Sequence, residues 1–468
     1  MVYIKKIVKW RTGPRDDSLW GLQGTMHRSL RSEIEKCRRK HGYTLSKLSE
    51  LTGINPGSLS EILNGNPPRA MTIGQLDAFT KVFGREQGWL YELYPEECLS
   101  EQRISRPRLI PYLVRCVEVR RKDCIETVVS ILLENPKNIL ILFALAEQLY
   151  EKGQLKESVP FYEYVIENEK DSYSDHFVMS QYRLFRAVLG TNAEENWENV
   201  IRFSPYRNRL PENYQLDALF QLARVCFALQ KWNKSGEYGD ELRLLAETVH
   251  MHELDRLKRN KKGEPLKPER PLVYYYGMGH LYKGAALEMQ GLYEEAKQYV
   301  RVYADLGWFE LIDEDGRKEV ERFKVWAKAN SYTLEVLSGN TDVLEEYVDY
   351  LESLPTNELL AGMISIMKSA NTYHFCVDEI LDRFSSQIAS FDQFTEAIGL
   401  DRHLQFRYQT AIYEFGKGRI ERGIEESIYY LSLADLMNRH DEALTYIALF
   451  GWLGNLNKRI GNQNELGD

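Results

Sequence analysis

Apolar residues follow a helical spacing along almost the whole chain. From Leu30 onward they recur three and four residues apart, and turn residues interrupt them about every 10 to 20 residues. The alternation of apolar and polar residues that predicts strands is nearly absent. The clearest breaks are the Pro/Gly clusters at 64–69 and 263–271. We therefore expect an all-α protein, preceded by a segment, residues 1–25, that shows no convincing periodicity.

Residues 28–94 divide into about five short helices whose ends can be assigned. The first is predicted from about Leu30 to Lys40, because Gly42 is a typical helix stop and cations favour the last turn. Thr44 is the expected cap of the second helix. The buried stripe of that second helix is predicted to consist of Leu45, Leu48 and Leu51.

A tight turn is predicted between the second and third helices. Gly53 supplies the positive φ that such a turn requires, and Ile54 follows as a buried turn residue. Asn55 is the expected cap of the third helix, with Pro56 at its first position. A fourth helix opens with the capping-box pattern of Thr72–Gln75.

One side of the third helix is polar, and this side carries the first functional prediction. The chain here resembles the XRE/Cro-type helix-turn-helix over about 65 residues, and the stretch from Thr44 to Gly84 carries the resemblance. Its carrying residues are Leu48, Gly53, Ile54, Leu59, Ser60, Ile62, Asn64-Gly65, Leu76 and Phe79. The resemblance implies that the third helix enters the major groove of double-stranded DNA. The implied DNA-contacting residues are Asn55, Gly57, Ser58, Glu61 and Asn64, with Arg38, Arg39, Lys40 and Arg69 on the phosphate backbone.

Three residues depart from the family pattern. Leu45 and Pro56 stand where the family often has Gln, and Glu61 stands where it often has Arg or Lys. Glutamate can accept a hydrogen bond from cytosine N4 but repels phosphate. Direct base recognition is therefore expected to be limited. The alternative is a degenerate helix-turn-helix used for dimerisation or protein contact.

Four windows in the remaining chain share one spacing of small and turn residues. In each window a small residue is followed by a turn residue seven positions later and by a second small residue twelve positions later. This resembles the helix–turn–helix unit of tetratricopeptide repeats, although the windows are never 34 residues apart. The four sets are Ala146, Gly153 and Ser158; Ala223, Gln230 and Ser235; Gly284, Gly291 and Ala296; and Ala411, Gly418 and Gly423.

Such repeats form a superhelix whose concave groove binds peptides or helices. The resemblance places Glu147, Tyr150, Asp217, Arg224, Phe227, Gln405 and Tyr408 in that groove. The alternative for each residue is that it only bridges neighbouring helices. A helix-turn-helix followed by such repeats resembles the RRNPP group of peptide-sensing regulators of Gram-positive bacteria and their phages. The resemblance implies a cytoplasmic homodimer whose DNA binding, as in quorum sensing, responds to a short signalling peptide.

The distribution of charged residues agrees with this division of the chain. Residues 1–99 carry 15 Lys and Arg against 11 Asp and Glu, whereas the remainder carries 45 against 58. A basic head on an acidic body suits a nucleic-acid-binding module joined to a sensing body. The domains expected are a basic extension at 1–25, a helix-turn-helix at 26–99 and a repeat domain for sensing and dimerisation at 100–468.

Other chemistry is not indicated. No nucleotide-binding, hydrolase or zinc-protease motif occurs, and the neighbours His250 and His252 do not share a helix face. We expect no enzyme activity, cofactor, metal, secretory signal or membrane span. Six scattered cysteines suggest reduced thiols, with a redox pair of Cys116 and Cys124 as the alternative. The basic segment 257–271 is expected to be a solvated loop, or else a second phosphate contact.

The favoured prediction is therefore a sequence-specific transcriptional regulator controlled by a peptide. The first alternative is an adaptor that binds a protein partner in the repeat groove and carries a degenerate helix-turn-helix. The second alternative is a small-molecule or toxin-linked enzyme, whose site would have to be assembled from distant residues.

Overall fold

A computed structural model describes residues 28–99, 104–259, 266–310, 312–394 and 397–437. These ranges contain 22 α-helices and no β-strand, so the prediction of an all-α protein is confirmed. The expected N-terminal extension, residues 1–25, lies outside the described residues. So do residues 260–265, the middle of the basic segment 257–271.

The chain packs as two compact units, the first ending at Ser172 and the second beginning at Tyr173. The predicted boundary between residues 99 and 100 lies inside the first unit. The described part of this unit contains α1 (Leu30–Lys40), α2 (Leu45–Thr52), α3 (Pro56–Asn64), α4 (Ile73–Val82), α5 (Pro95–Cys98), α6 (Arg106–Glu118), α7 (Lys122–Leu133), α8 (Ile139–Glu151) and α9 (Leu155–Asn168).

Local sequence rules account for the ends of α2, α3 and α4. The Thr44 side chain caps α2, and Gly53 ends it with φ 69°. Pro56 occupies the first position of α3, as predicted. Thr72 and Gln75 form the predicted capping box, each side chain accepting a hydrogen bond from the main-chain N–H of the other.

The predicted buried stripe of α2 is wrong at one position. Leu48 is fully buried, but Leu51 is 42% exposed, and Ser49 is buried instead. In an eight-residue helix, positions six apart lie about 120° from one another around the axis, so Leu45 and Leu51 cannot both face the core. The hydroxyl of Ser49 donates to the carbonyl of Ile54 over 2.5 Å and so closes the turn into α3.

Helix α6 ties the helix-turn-helix to the rest of the first unit. The Tyr112 hydroxyl donates to the Tyr91 carbonyl over 2.8 Å, and the Tyr112 ring lies 4.9 Å from that of Tyr94. Arg115 binds Asp77 of α4 at 2.9 Å. These buried and half-buried contacts explain why residues on both sides of position 99 belong to one body.

The second unit continues with helices arranged largely as antiparallel hairpins. Its described helices are α10 (Asp175–Val188), α11 (Ala193–Phe203), α12 (Glu212–Ala228), α13 (Trp232–Lys258), α14 (Leu272–Met289), α15 (Tyr293–Ala304), α16 (Glu314–Leu337), α17 (Leu344–Glu352), α18 (Thr356–Tyr373), α19 (Asp378–Arg383), α20 (Ser385–Ser390), α21 (Ala397–Gly416) and α22 (Ile420–Leu436).

All four predicted turn residues lie between two helices and have positive φ. The values are 76° at Gly153, 56° at Gln230, 77° at Gly291 and 76° at Gly418. A left-handed residue lets the chain leave one helix and begin the next within three residues. The same device joins α6 to α7 at Arg120, with φ 60°.

The small residues of the windows lie where helices approach closely. Ala223 and Ser235 are fully buried, and the Ser235 hydroxyl donates to the Ala223 carbonyl over 3.0 Å. Ala146 and Ser158 are equally buried. A helical-repeat region with the predicted hairpins therefore follows the helix-turn-helix.

The cysteines of the described ranges are all free thiols. Five are buried, namely Cys37, Cys98, Cys116, Cys124 and Cys226, whereas Cys376 is exposed. In the same ranges, no helix combines the length and apolar character needed to cross a membrane.

Candidate nucleic-acid interface

The polar side of α3 is open to solvent while its apolar side is buried. Leu59 and Ile62 are fully buried and anchor the helix in the domain core. The predicted contact residues Asn55, Gly57, Glu61 and Asn64 are exposed, and Ser58 is half-buried. The spacing of the sequence therefore places these five residues on one accessible surface, which is what a helix in a DNA groove requires.

Asn55 has a structural task as well. Its side-chain oxygen accepts hydrogen bonds from the N–H groups of Gly57, at 2.9 Å, and Ser58, at 3.4 Å. These bonds satisfy two donors that the first turn of a helix leaves free. Because the oxygen is occupied in this way, its amide nitrogen is the part of Asn55 that suits a DNA contact.

The Arg69 side chain lies beside α3 and donates hydrogen bonds to Glu61 and Ser58. The Arg69 Nη1 is 3.1 Å from a Glu61 carboxylate oxygen and 3.3 Å from the Ser58 hydroxyl. Both side chains of the ion pair remain exposed, Arg69 to 58% and Glu61 to 62%. The positive charge of Arg69 offsets the negative charge of Glu61 and so reduces the repulsion that this carboxylate would exert on a phosphate.

The main chain folds back after α3, and this brings Arg69 beside the end of that helix. The Glu61 carbonyl accepts hydrogen bonds from the N–H groups of Gly65, at 3.1 Å, and Arg69, at 3.0 Å. A Cβ at position 65 would collide with that same carbonyl oxygen, so the return needs glycine. Spacing along α3 did not reveal this pairing, because it depends on the path of residues 65–69.

A partly buried ion pair holds the segment that contains Arg69 in place. Arg31 of α1 binds Glu97 at 2.5 Å, with the Glu97 side chain only 4% exposed. Arg31 also donates to the Arg69 carbonyl at 3.0 Å, and Glu97 accepts from the Met71 N–H at 2.8 Å. Arg31 and Glu97 thus position Arg69 indirectly, and sequence analysis missed both because they are 66 residues apart.

The basic end of α1 is a separate surface with its own internal pairing. Arg38 binds Glu35 and donates to the Tyr43 carbonyl, while Arg39 binds Glu35 and is 76% exposed. The hydrogen bond from Arg38 holds the pKa of Glu35 at about 2, well below the usual value of 4.5. Lys40 is exposed. Arg39 and Lys40 are consequently the residues of this run best placed to meet a phosphate.

The residues predicted for a peptide groove are mostly engaged within the protein. In the first unit, Glu147 accepts a hydrogen bond from Tyr162 at 2.5 Å, and Tyr150 packs edge-on against the same ring. Both are half-buried. Their present contacts favour a bridging role between α8 and α9.

Of the groove residues predicted in the second unit, some are buried or half-buried and others are exposed. Asp217 is 1% exposed and accepts hydrogen bonds from Tyr182 and Arg186, each at 2.8 Å. Phe227 and Tyr408 are half-buried against other rings. Arg224 and Gln405 are exposed. Burial of Asp217 raises its pKa, and the Arg186 guanidinium opposes that rise.

No group of three or more His, Cys, Asp or Glu side chains in the described part of the chain is arranged to hold a metal ion. The chemistry of the α3 surface is instead that of hydrogen-bond donors and acceptors on an exposed helix beside one arginine. Such a surface can recognise base edges in a major groove.

The comparison with known proteins agrees with this geometry. Residues 33–96 match a family described as the Cro/C1-type HTH DNA-binding domain, and the match covers most of α1, all of α2, α3 and α4, and the first half of α5. The chain thus carries a Cro/C1-type helix-turn-helix followed by a helical region. No curated protein matches the chain.

Proposed function

We propose that this protein is a sequence-specific DNA-binding transcriptional regulator whose helical-repeat region senses a short peptide and thereby controls DNA binding. The observation that carries the DNA-binding part is the open polar face of α3, with Arg69 held beside it, in a domain that matches the Cro/C1 family. The proposal assigns the protein no catalytic activity and no cofactor, and it places the protein in the cytoplasm, where the DNA of a bacterial cell lies.

Arg69 and Glu61 together suit a G·C base pair. Arg69 contacts α3 through Nη1, and we propose that its Nη2 and Nε donate to a second partner. Arginine donates to guanine O6 and N7, and glutamate accepts from cytosine N4. Glu61 would then have two roles, since it orients Arg69 and also contacts the cytosine. Lys40 would contact phosphate only, which adds affinity without sequence preference.

The test is selection of bound sequences from random DNA by the full chain and two variants. In Arg69→Met, one G·C position of the selected motif relaxes and affinity for the original site falls about tenfold. In Lys40→Met, the motif is unchanged, binding to all sequences weakens alike, and the slope of log affinity against log salt falls by about one unit. A wild-type protein that enriches no sequence would refute the proposal.

The same selection examines the homodimer that we propose. Two copies reading one site would select a palindrome with half-site centres about 34 Å apart or a multiple of that spacing. A single, non-repeated motif would contradict the dimer while leaving sequence-specific binding in place.

Peptide sensing rests on the helical hairpins and on exposed polar residues such as Arg224 and Gln405. A peptide that favours one arrangement of the region needs only about 1.4 kcal/mol of coupling to change DNA affinity tenfold. Short peptides that copurify with the protein can be identified by mass spectrometry and added back to peptide-free protein. We expect a DNA affinity change that Arg224→Ala abolishes and that a charge-matched control, Arg322→Ala, retains. Unchanged affinity with every recovered peptide would contradict sensing.

The adaptor alternative depends on Glu61 and Pro56, the two departures on α3. Arg69 compensates the charge of Glu61, and Pro56 lies at the helix position where a missing N–H costs nothing. Neither departure therefore argues against DNA contact, and we favour the regulator.

A further inference from the structure

The second unit contains a cavity of about 360 Å³ that none of the seven predicted groove residues lines. Its walls come from the C-terminal half of α13, from residues 266 and 268–271 together with the start of α14, and from residues 309–310 and 312–313 together with the start of α16. Its apolar wall includes Phe309, Pro271 and Ile312. A cavity of this size accommodates a small organic group together with a short alkyl chain.

His250 of α13 is one of the residues that line this cavity, and its buried Nδ1 has no hydrogen-bond partner among the described residues. The side chain is 2% exposed, and Nδ1 makes no hydrogen bond with any described residue. One face of the imidazole is covered by Phe309, whose ring centre is 3.8 Å away. Buried polar atoms are normally satisfied, so an orphaned nitrogen at a cavity wall indicates a missing hydrogen-bond partner.

The charges of the residues that line the cavity indicate that the partner is positively charged. Five carboxylates line the cavity, and Arg270 is the one basic residue among its described lining residues. The Arg270 guanidinium lies over the Tyr274 ring at 4.8 Å. The five carboxylates are Glu253, Glu269, Glu310, Asp313 and Asp315.

Several of these carboxylates already have partners, but one does not. Arg256 binds Glu253 at 2.8 Å, and Asp315 binds Lys318 at 3.0 Å. Asp313 caps α16 by accepting from Gly316. Glu310 makes no ion pair with any described residue, although it lies close enough to His250 to raise the pKa of that imidazole against the lowering effect of burial. Glu310 is exposed, and it and the Nδ1 of His250 are two acceptors to which a cation can donate without displacing a protein partner.

We propose that this cavity binds an alkyl guanidinium or alkyl ammonium group. The N–H groups of the cation donate to Nδ1 of His250 and to the Glu310 carboxylate, while the alkyl chain packs on Phe309 and Pro271. A metal ion fits less well, because the described carboxylates are not gathered into a metal-binding group. The cation could be a free amine or a basic side chain of a peptide, and both offer the same chemistry.

The test measures binding to the full chain by calorimetry without DNA, so its outcome is separate from that of the DNA-binding proposal. Three probes are used, namely agmatine, a blocked Gly-Arg-Gly peptide, and the same peptide with citrulline, which keeps the shape of arginine but removes its charge. We expect saturable binding of one arginine-type probe per chain, and at least about tenfold weaker binding of the citrulline peptide, equivalent to about 1.4 kcal/mol.

Two matched variants locate the site. Glu310→Gln should weaken binding about tenfold, which is the loss expected for one charge-assisted hydrogen bond. Glu314→Gln makes the same charge change four residues away, at a position 80% exposed that does not line the cavity, and should leave affinity within about twofold. His250→Phe keeps the stacking on Phe309 and removes the acceptor, so binding should weaken here too. An unchanged melting temperature of Glu310→Gln confirms that this variant is folded.

The outcomes separate the two sources of the cation. Tighter binding of the peptide than of agmatine indicates a peptide side chain, and the reverse order indicates a free amine. Absence of saturable binding by both charged probes at about 10 mM would overturn the proposal. Equal loss of affinity in Glu310→Gln and Glu314→Gln would overturn it as well, since it would show attraction to the acidic surface in general.

Discussion

The surface of α3 and the interior between α10 and α12 each contain an arginine–carboxylate pair of similar length. Arg69 lies 3.1 Å from Glu61, and Arg186 lies 2.8 Å from Asp217. Glu61 is 62% exposed, whereas the Asp217 side chain is 1% exposed. The distance is therefore a poor guide to the role of a pair. The exposed pair is screened by water and can accept a third partner. Asp217 has instead lost its hydration, so the fold requires its pairing with Arg186.

The largest effect is expected from breaking the buried pair. Arg186→Met leaves Asp217 with a hydrogen bond from Tyr182 but no counter-charge, and should lower the free energy of unfolding of the second unit by about 3 kcal/mol. Urea denaturation of the full chain at pH 7 measures this loss. The control is Arg383→Met, which removes an exposed arginine from Asp349 and Glu352 of the same unit and should cost about 0.5 kcal/mol or less. Equal losses in the two variants would contradict the distinction between buried and exposed pairs.

The intermediate effect is expected from the hydroxyl that shares Asp217. Tyr182→Phe keeps the buried ring and removes one hydrogen bond to the carboxylate, and should lower the free energy of unfolding by about 1.5 kcal/mol. Tyr173→Phe is the control, because its ring is 73% exposed and its loss of a hydroxyl should change little. A neutral effect of Tyr182→Phe would show that Arg186 alone satisfies Asp217.

The smallest effect is expected at the exposed end of α1 and depends on pH. The pKa of Glu35 is about 2 in the folded protein and returns towards 4.5 on unfolding. The stabilisation from ionised Glu35 is therefore complete above about pH 4.5 and is lost as pH falls towards 2. Solvent screening keeps this contribution below about 1 kcal/mol. Glu35→Gln should reduce the loss of stability over that interval in thermal melts, whereas Glu50→Gln, at an exposed pair with Lys47, should not.

The local part of this architecture could be predicted because it depends on neighbouring residues. Gly53, Asn55 and the Thr72–Gln75 capping box act within one turn of chain, and the structure has each in its predicted role. The turn residues of the four hairpins were predictable for the same reason. Leu51 was assigned wrongly because residues spaced three apart do not stay on one face of a helix. Only the position of the core decides which leucine is buried.

The long-range part could not be predicted. Arg31 and Glu97 carry ordinary surface residue types, and nothing in the sequence marks them as partners across 66 residues. Asp217 was expected in a groove from its position in the repeat template, but Arg186 and Tyr182, 31 and 35 residues earlier, allow its burial. Pairings of this kind arise from the packing of helices, which periodicity does not specify.

The buried cysteines have a practical consequence. The five thiols lie in five different helices, with Cys37 in α1, Cys98 in α5, Cys116 in α6, Cys124 in α7 and Cys226 in α12. A thiol reagent can modify each of them only when its helix opens, so the rate of alkylation measures the free energy of that opening. Mass spectrometry of the alkylated native chain would therefore map local unfolding in the DNA-binding end and in the helical hairpins without introducing a single substitution, while Cys376, which reacts at once, calibrates the reagent.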